Sequence, residues 1–218
     1  MRLDPTFFVV FPVFVLSVVV HECAHGWVAL LNGDPTALER GRLTLNPVPH
    51  VDPIGSLLLP GILFVTGAPF LFGWAKPVPV DRARLRDPRN ASVYVALAGP
   101  GSNFLLAVAF AGLARIAPPG GFWAPLGTMG YSGVTWNCAL GLFNLIPIPP
   151  LDGSWLLMRF LPMRHILALH HFRPLGFLLL MVLLMAPGPA RVVFYTPLHA
   201  TIGACLGLFG LATPGALR

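Results

Sequence analysis

Two histidines four residues apart enclose a glutamate in the run His21-Glu22-Cys23-Ala24-His25. On a helix, positions i and i+4 lie on one face a turn apart, so both imidazoles can reach a single metal ion. Glu22 is turned roughly 100 degrees round the helix from His21, which sets it beside such an ion rather than on it. A carboxylate there suits a general base acting on water whose pKa a zinc ion lowers to about 7. The chemistry these residue types offer is metal-assisted hydrolysis. The same letters in a soluble amphipathic helix would form a solvated face, but here the motif lies inside an apolar stretch from Phe7 to Leu31, behind the run FFVVFPVFVLSVVV. Ionisable groups at that depth are costly without partners and mark a functional site.

Catalytic zinc usually takes three protein ligands and leaves one position open, and Asp152 is the best third donor. It follows Pro147, Pro149 and Pro150 in NLIPIPPLDG at 144–153. The prolines end a helix and force an extended path that can aim a carboxylate inward before residues 154–161 turn helical again. Asp152 suits the N-cap of that short helix as well. The other acids are poorer donors. Asp34 and Glu39 fall in a polar, hairpin-like stretch, Asp52 precedes a proline as turn acids do, and Asp81 and Asp87 sit among arginines as surface pairs. His50 with Asp52 forms a weaker alternative pair, and Cys23 faces elsewhere on the helix. His165, His170, His171 and His199 read as interfacial or packing residues.

The elements that must position these residues are apolar. The chain has 218 residues, 56% hydrophobic and 10% charged, with mean hydropathy +0.75. That composition predicts an all-α polytopic membrane protein in one integral-membrane domain, 1–218, with no soluble domain of useful size. Apolar segments at about 7–31, 54–73, 91–115, 128–147, 174–187 and 192–212 predict five to six transmembrane segments. They divide into a catalytic core over about 7–160 and a C-terminal helical pair over about 165–212. The first segment carries the histidines and lacks a small-residue cleavage site, unlike a removed signal peptide. Cys23, Cys138 and Cys205 are too few for a disulfide framework and read as packing residues. The net charge of +6 is scattered over loops, a pattern of membrane orientation rather than nucleic-acid binding. No internal repeat of a transporter kind is evident.

The ligands also constrain topology. His21 and His25 lie in the last third of the first helix, and Asp152 lies just beyond the end of the fourth apolar segment. If every segment crossed once, these helices would run in opposite directions and much of the roughly 30 Å core would separate the ligands. Something between them must fail to cross. The segment 54–73, interrupted by Pro60, Gly61, Gly67 and Pro69, suits a broken or re-entrant pair of half-helices. Residues 32–90, 148–173 and the C-terminus then share one side, and of the 14 Lys and Arg residues only Arg2, Arg115 and Arg191 fall on the other. The positive-inside rule places that side, and the active site, towards the cytoplasm.

With HECAH on the first apolar helix and LDG after a late one, the chain resembles the site-2 protease family of intramembrane zinc metalloproteases. The resemblance extends over NPVPHVDPIGSLLLP at 46–60, GWAKPVPV at 73–80, AGPGSN at 98–103 and NLIPIPPLDG at 144–153. It implies one zinc ion held by His21, His25 and Asp152, with Glu22 as the base. It further implies that Asn144, and Asn103 beside it, bind the scissile peptide or its oxyanion, although Asn144 also suits a helix end and Asn103 a helix cap. Some relatives carry an added PDZ or CBS domain, for which this chain has no room. The expected substrates are transmembrane helices of other proteins, cut in the bilayer of a prokaryotic cell membrane. Extended stretches at 41–47 and 75–80 could accept an unwound substrate by strand addition. A metal-ion transporter using His21, His25 and Asp152 as a transit site is the rival reading, although it leaves Glu22 without a task.

Overall fold

Long apolar runs away from water can satisfy their backbone groups only within a helix or a closed barrel, and this chain takes the first course. The computed structural model describes residues 5–66, 73–117, 121–162 and 173–213, which contain helices and loops and no strand. His165, His170 and His171 lie outside these residues. The helices are α1 (Pro5–Leu31), α2 (Thr36–Glu39), α3 (Leu59–Val65), α4 (Pro88–Ile116), α5 (Ala124–Leu145), α6 (Gly153–Met158), α7 (Arg173–Met185), α8 (Pro187–Ala190) and α9 (Thr196–Gly207). Among the described residues, Thr6–Leu31 and Pro88–Ile116 are long and apolar enough to cross a membrane.

Helices α1, α4 and α5 form the core, and cross-contacts give their directions. His25 meets Val95 and His21 meets Asn103, so α4 runs antiparallel to α1. Gly130 lies against Ala114, Gly133 against Phe110 and Gly141 against Phe104, so α5 runs antiparallel to α4 and parallel to α1. Small residues permit this closeness, as they do between helices that lack a hydrophobic drive to associate. Ala107, Ala111, Ala114, Gly130 and Gly133 are buried between α4 and α5, whereas Phe8, Leu105 and Phe122 face outward. Helix α9 closes one side of the bundle, where Leu198, Ile202, Cys205 and Leu206 pack on Ala107, Ala111, Val134 and Cys138.

The connection between α1 and α4 leaves and returns at one end of this bundle, since Arg86 N donates to Asn32 O at 2.9 Å. Within it, Asp52 caps a wide helical turn at Pro53–Leu58 that runs on into α3. Residues 67–72, the last part of the expected broken segment 54–73 with Gly67 and Pro69, lie outside the described residues. Beyond them the chain comes back to where it left, with Trp74 N on Gly55 O at 3.1 Å and Ser56 Oγ on Trp74 O at 2.8 Å. The stretches at 41–47 and 73–80 are neither helix nor strand. Arg42 Nη2 on Lys76 O (2.7 Å) ties them together, and Lys76 N on His50 O (2.9 Å) ties the second to the turn that follows the first. Asp87 caps α4 through the N–H groups of Arg89 and Asn90, so the expected surface pairing gives way to a helix N-terminus, which has unsatisfied donors of its own.

Asp34 holds the two ends of this connection. Fully buried, it accepts from Thr36 N at 3.0 Å, from the Thr36 hydroxyl and from Asp81 N at 2.7 Å. Burial alone would raise its carboxyl, but these donors outweigh it and hold the group below the usual carboxylate range. A depressed acid contributes stability above its unfolded pKa of about 4 and loses it as pH falls through the folded value. Asp34→Ala should therefore cost about 1–3 kcal/mol at neutral pH, measured by thermal unfolding in detergent. The gap to wild type should close as the pH is lowered past about 4.

Candidate metal centre

His21 and His25 project from α1 towards α4, where both are buried. The surface beneath them is Gly99. A Cβ at that position would lie 2.6 Å from His21 Nε2 and closer still to His25 Nε2, so only glycine lets the two imidazoles lie against α4. The third donor comes from the turn after α5. Gly153 has no room for a side chain, because a Cβ would run into Leu145 O and lie 2.6 Å from Ile146 O. Its absence lets α6 start hard against the end of α5. Asp152 then makes no cap bond to α6, despite its place at the helix start. Its Oδ2 instead lies 3.2 Å from His21 Nε2 and 3.2 Å from His25 Nε2, and the two Nε2 atoms are 3.1 Å apart.

The hydrogen bonds on the far side of each ring decide what this cluster can hold. His21 Nδ1 faces Asn103 Oδ1 at 2.6 Å and His25 Nδ1 faces Val95 O at 2.6 Å. Both partners are acceptors, so each imidazole carries a proton on Nδ1 and, as a neutral ring, turns a bare Nε2 lone pair inward. Asp152 Oδ2, buried, consequently has no hydrogen-bond donor. Three acceptors within 3.2 Å repel one another unless a cation sits among them. Tetrahedral zinc with bonds of about 2.0–2.1 Å sets its donors about 3.3–3.4 Å apart, close to the separations found. The donor set, its spacing and the amide and backbone carbonyl partners behind the rings fit zinc.

Glu22 is half-buried beside the cluster, and its Oε2 accepts from Val78 N at 2.8 Å. Asn103 is fully buried, in contact with His21 rather than with open space. Asn144 lies near the end of α5 and donates to Leu140 O at 3.0 Å in its own helix. The alternative pair is not assembled. Asp52 is engaged in its helix cap, and His50 Nε2 faces Thr44 O at 2.9 Å. Cys23 points the same way, to Thr44 O at 3.1 Å and away from the three acceptors. All three cysteines are free, and His199 is exposed. Val78 was not visible from sequence, because a backbone N–H leaves no trace in residue type. Asn137, fully buried and bonded to Asn103, carried one unused signal, an amide in the middle of an apolar helix.

Two imidazoles and a carboxylate converge in a group that could hold a metal ion, with a further acid alongside. Known proteins agree. A protein of Bacillus subtilis (strain 168) with the provisional name zinc metalloprotease YwhC is 37% identical over 201 residues, 89% of this chain and 88% of its own. Provisionally named zinc metalloproteases Rip2 match as well: that of Mycolicibacterium smegmatis is 33% identical over 86% of this chain and 71% of its own, and that of Mycobacterium tuberculosis (strain H37Rv) is 32% identical over 80% and 65%. The chain belongs to the site-2 protease family of zinc metalloproteases. No family model and no solved structure matches it.

Gly99→Ala separates the metal centre from general stability. Alanine favours a helix over glycine by about 1 kcal/mol, yet its methyl group would displace both imidazoles. Zinc affinity, measured by competition with a chelator, should fall at least tenfold while the metal-free protein still folds.

Proposed function

We propose that this chain is an intramembrane zinc endopeptidase that hydrolyses peptide bonds within or near the transmembrane segments of other membrane proteins. The observation that carries the reading is the acceptor-only cluster of His21, His25 and Asp152 inside a bundle whose outer surface is apolar. Side chains such as Phe8, Leu105 and Phe122 face outward while Ser17, Asn103 and Asn137 are buried, an arrangement suited to lipid rather than water. In this reading the chain is a multi-pass protein of a prokaryotic cell membrane with five to six spans. The excursion from Gly55 to Trp74 is re-entrant, and its return to its starting point supports that topology. The parallel course of α1 and α5 brings the ligands to one side, and the basic loops place that side towards the cytoplasm.

Bound at this site, one zinc ion would polarise the scissile carbonyl and acidify water. Glu22 takes the proton from that water and delivers it to the leaving amine. Val78 N–H fixes one Glu22 oxygen and leaves the other for this task. Asn144 spends one amide N–H on Leu140 O, and its second steadies the developing oxyanion. Asn103 acts on the ligand His21 instead of on substrate.

A substrate helix hides its carbonyls in its own hydrogen bonds, so it must unwind before it can be cut. Of the two non-helical stretches, 41–47 is the better receptor. Thr44 O points inward to Cys23 and His50, and the backbone groups of Leu43 and Leu45 have no hydrogen-bond partner among the described residues. In 75–80, by contrast, the N–H groups of Lys76 and Val78 are already bonded, and Pro77 and Pro79 have none to offer.

Purified protein should cleave single-span test substrates, and Glu22→Gln should keep its zinc and lose cleavage by at least 100-fold, in line with general-base contributions. A variant that loses neither, or a wild type that moves zinc across vesicles without cutting, would favour the transporter. Leu45→Pro removes one N–H from the receiving edge and should lower cleavage about tenfold with zinc content unchanged, a loss of the size expected for one strand hydrogen bond. Unaltered cleavage would move the substrate elsewhere.

A further inference from the structure

Asn137 lies on α5 at the level of Ser17, fully buried where α1, α4 and α5 meet. An amide there is costly unless each of its polar atoms is paired, and each one is. The pairing has a direction. Ser17 Oγ donates to Val13 O (2.8 Å) and so accepts from Asn137 Nδ2 (2.8 Å), which also donates to Gly133 O (2.9 Å). Asn137 Oδ1 accepts from Asn103 Nδ2 (2.9 Å), which also reaches Ser17 O (3.3 Å). That leaves Asn103 Oδ1 to face His21 Nδ1 at 2.6 Å.

The chain ends in three backbone carbonyls, those of Val13, Ser17 and Gly133, which can only accept. Turning the Asn137 amide over would set its oxygen against Gly133 O and its nitrogen against Asn103 Nδ2. Turning Asn103 over would set its oxygen against Ser17 O and Asn137 Oδ1. Both amides are locked, and the lock decides where His21 keeps its proton.

We propose that Asn137, acting through Asn103, is a positioning residue for the metal centre: it holds the His21 proton on Nδ1 and so presents the Nε2 lone pair to the ion. This rests on the zinc reading above. The competing role is structural, an amide that simply joins three helices. A structural role predicts lost folding stability without a selective change in zinc binding.

The test uses full-length, zinc-loaded protein in detergent, with zinc release to a competing chelator at fixed pH. Asn137→Ala should bind zinc about tenfold more weakly, the lower end of what outer partners of a ligand supply. Cys138→Ala, its buried neighbour outside the hydrogen-bonded chain, should bind as wild type does. In addition, imidazole nitrogen NMR of the zinc-loaded wild type should show His21 bound through Nε2 with its proton on Nδ1. Wild-type affinity in Asn137→Ala, an equal loss in Cys138→Ala, or His21 bound through Nδ1 would each overturn the proposal. If Asn137→Ala does not fold, Ser17→Ala interrupts the same chain with a smaller lesion and should weaken zinc binding severalfold; unchanged affinity overturns it. A wild type that binds no zinc would sink the protease reading and this inference together, whereas zinc-loaded wild type with unaffected variants sinks this one alone.

Discussion

Holding two imidazole nitrogens and a carboxylate oxygen within 3.2 Å of one another, with the ring protons turned outward, is unfavourable for the bare chain. Much of the local structure is what that arrangement requires. The imidazoles need a surface without a Cβ beneath them, which Gly99 supplies. The carboxylate needs a turn that ends one helix and begins another almost at once, and Gly153 allows it by letting α6 press on the end of α5. The ring protons need acceptors behind them, which α4 supplies as Val95 O and Asn103 Oδ1. Each piece alone is a modest irregularity of a helical protein, but together they enclose a site that a cation completes.

The same requirement reaches the topology. Donors from the last third of α1 and from beyond the end of α5 can meet only if these helices run the same way, and the contacts along α4 show that they do. A parallel pair of neighbours needs an intervening antiparallel helix and a connection that ends on the side where it began. Arg86 N on Asn32 O and the buried Asp34 carboxylate make that closure. Where α1, α4 and α5 meet, Ser17, Asn103 and Asn137 form one buried polar group. Glycine and alanine fill the α4–α5 interface beyond it, a division suited to helices that attract one another weakly in lipid.

How much of this could be read from residues alone depends on the kind of signal. His21, Glu22, His25 and Asp152 were legible because an ionisable residue in an apolar run has few reasons to be there, and because i and i+4 fix a shared face without tertiary knowledge. The helical segments were legible from composition for the same reason. Asn103 was singled out, but its partner was not legible, since whether an amide faces substrate or a ligand depends on which helix packs against it. Asp152 suited a cap and a metal donor alike, and only the packed turn shows that it makes no cap bond and lies beside both imidazoles. Val78 reaches Glu22 by a backbone N–H and Asn137 reaches Asn103 by a tertiary hydrogen bond, neither of which leaves a periodicity or a motif.

The two non-helical stretches beside the site show how one residue type can assign different tasks to similar segments. Proline at 77 and 79 removes two donors from 73–80, and of the six that remain those of Trp74, Lys76 and Val78 turn towards the protein. Arg42, buried, grips the carbonyls of Lys76 (2.7 Å) and Pro77 (3.4 Å) from the other stretch. This segment is therefore committed to holding Glu22, and it has little left with which to pair a partner strand. The stretch at 41–47 has no proline before Pro47, turns Thr44 O inward and leaves the backbone groups of Leu43 and Leu45 without a hydrogen-bond partner among the described residues. A base that must stay aimed and a substrate that must come and go make opposite demands on the backbone they use. In the proposed mechanism the chain meets them by tying one non-helical segment down and leaving the edge of the other unpaired.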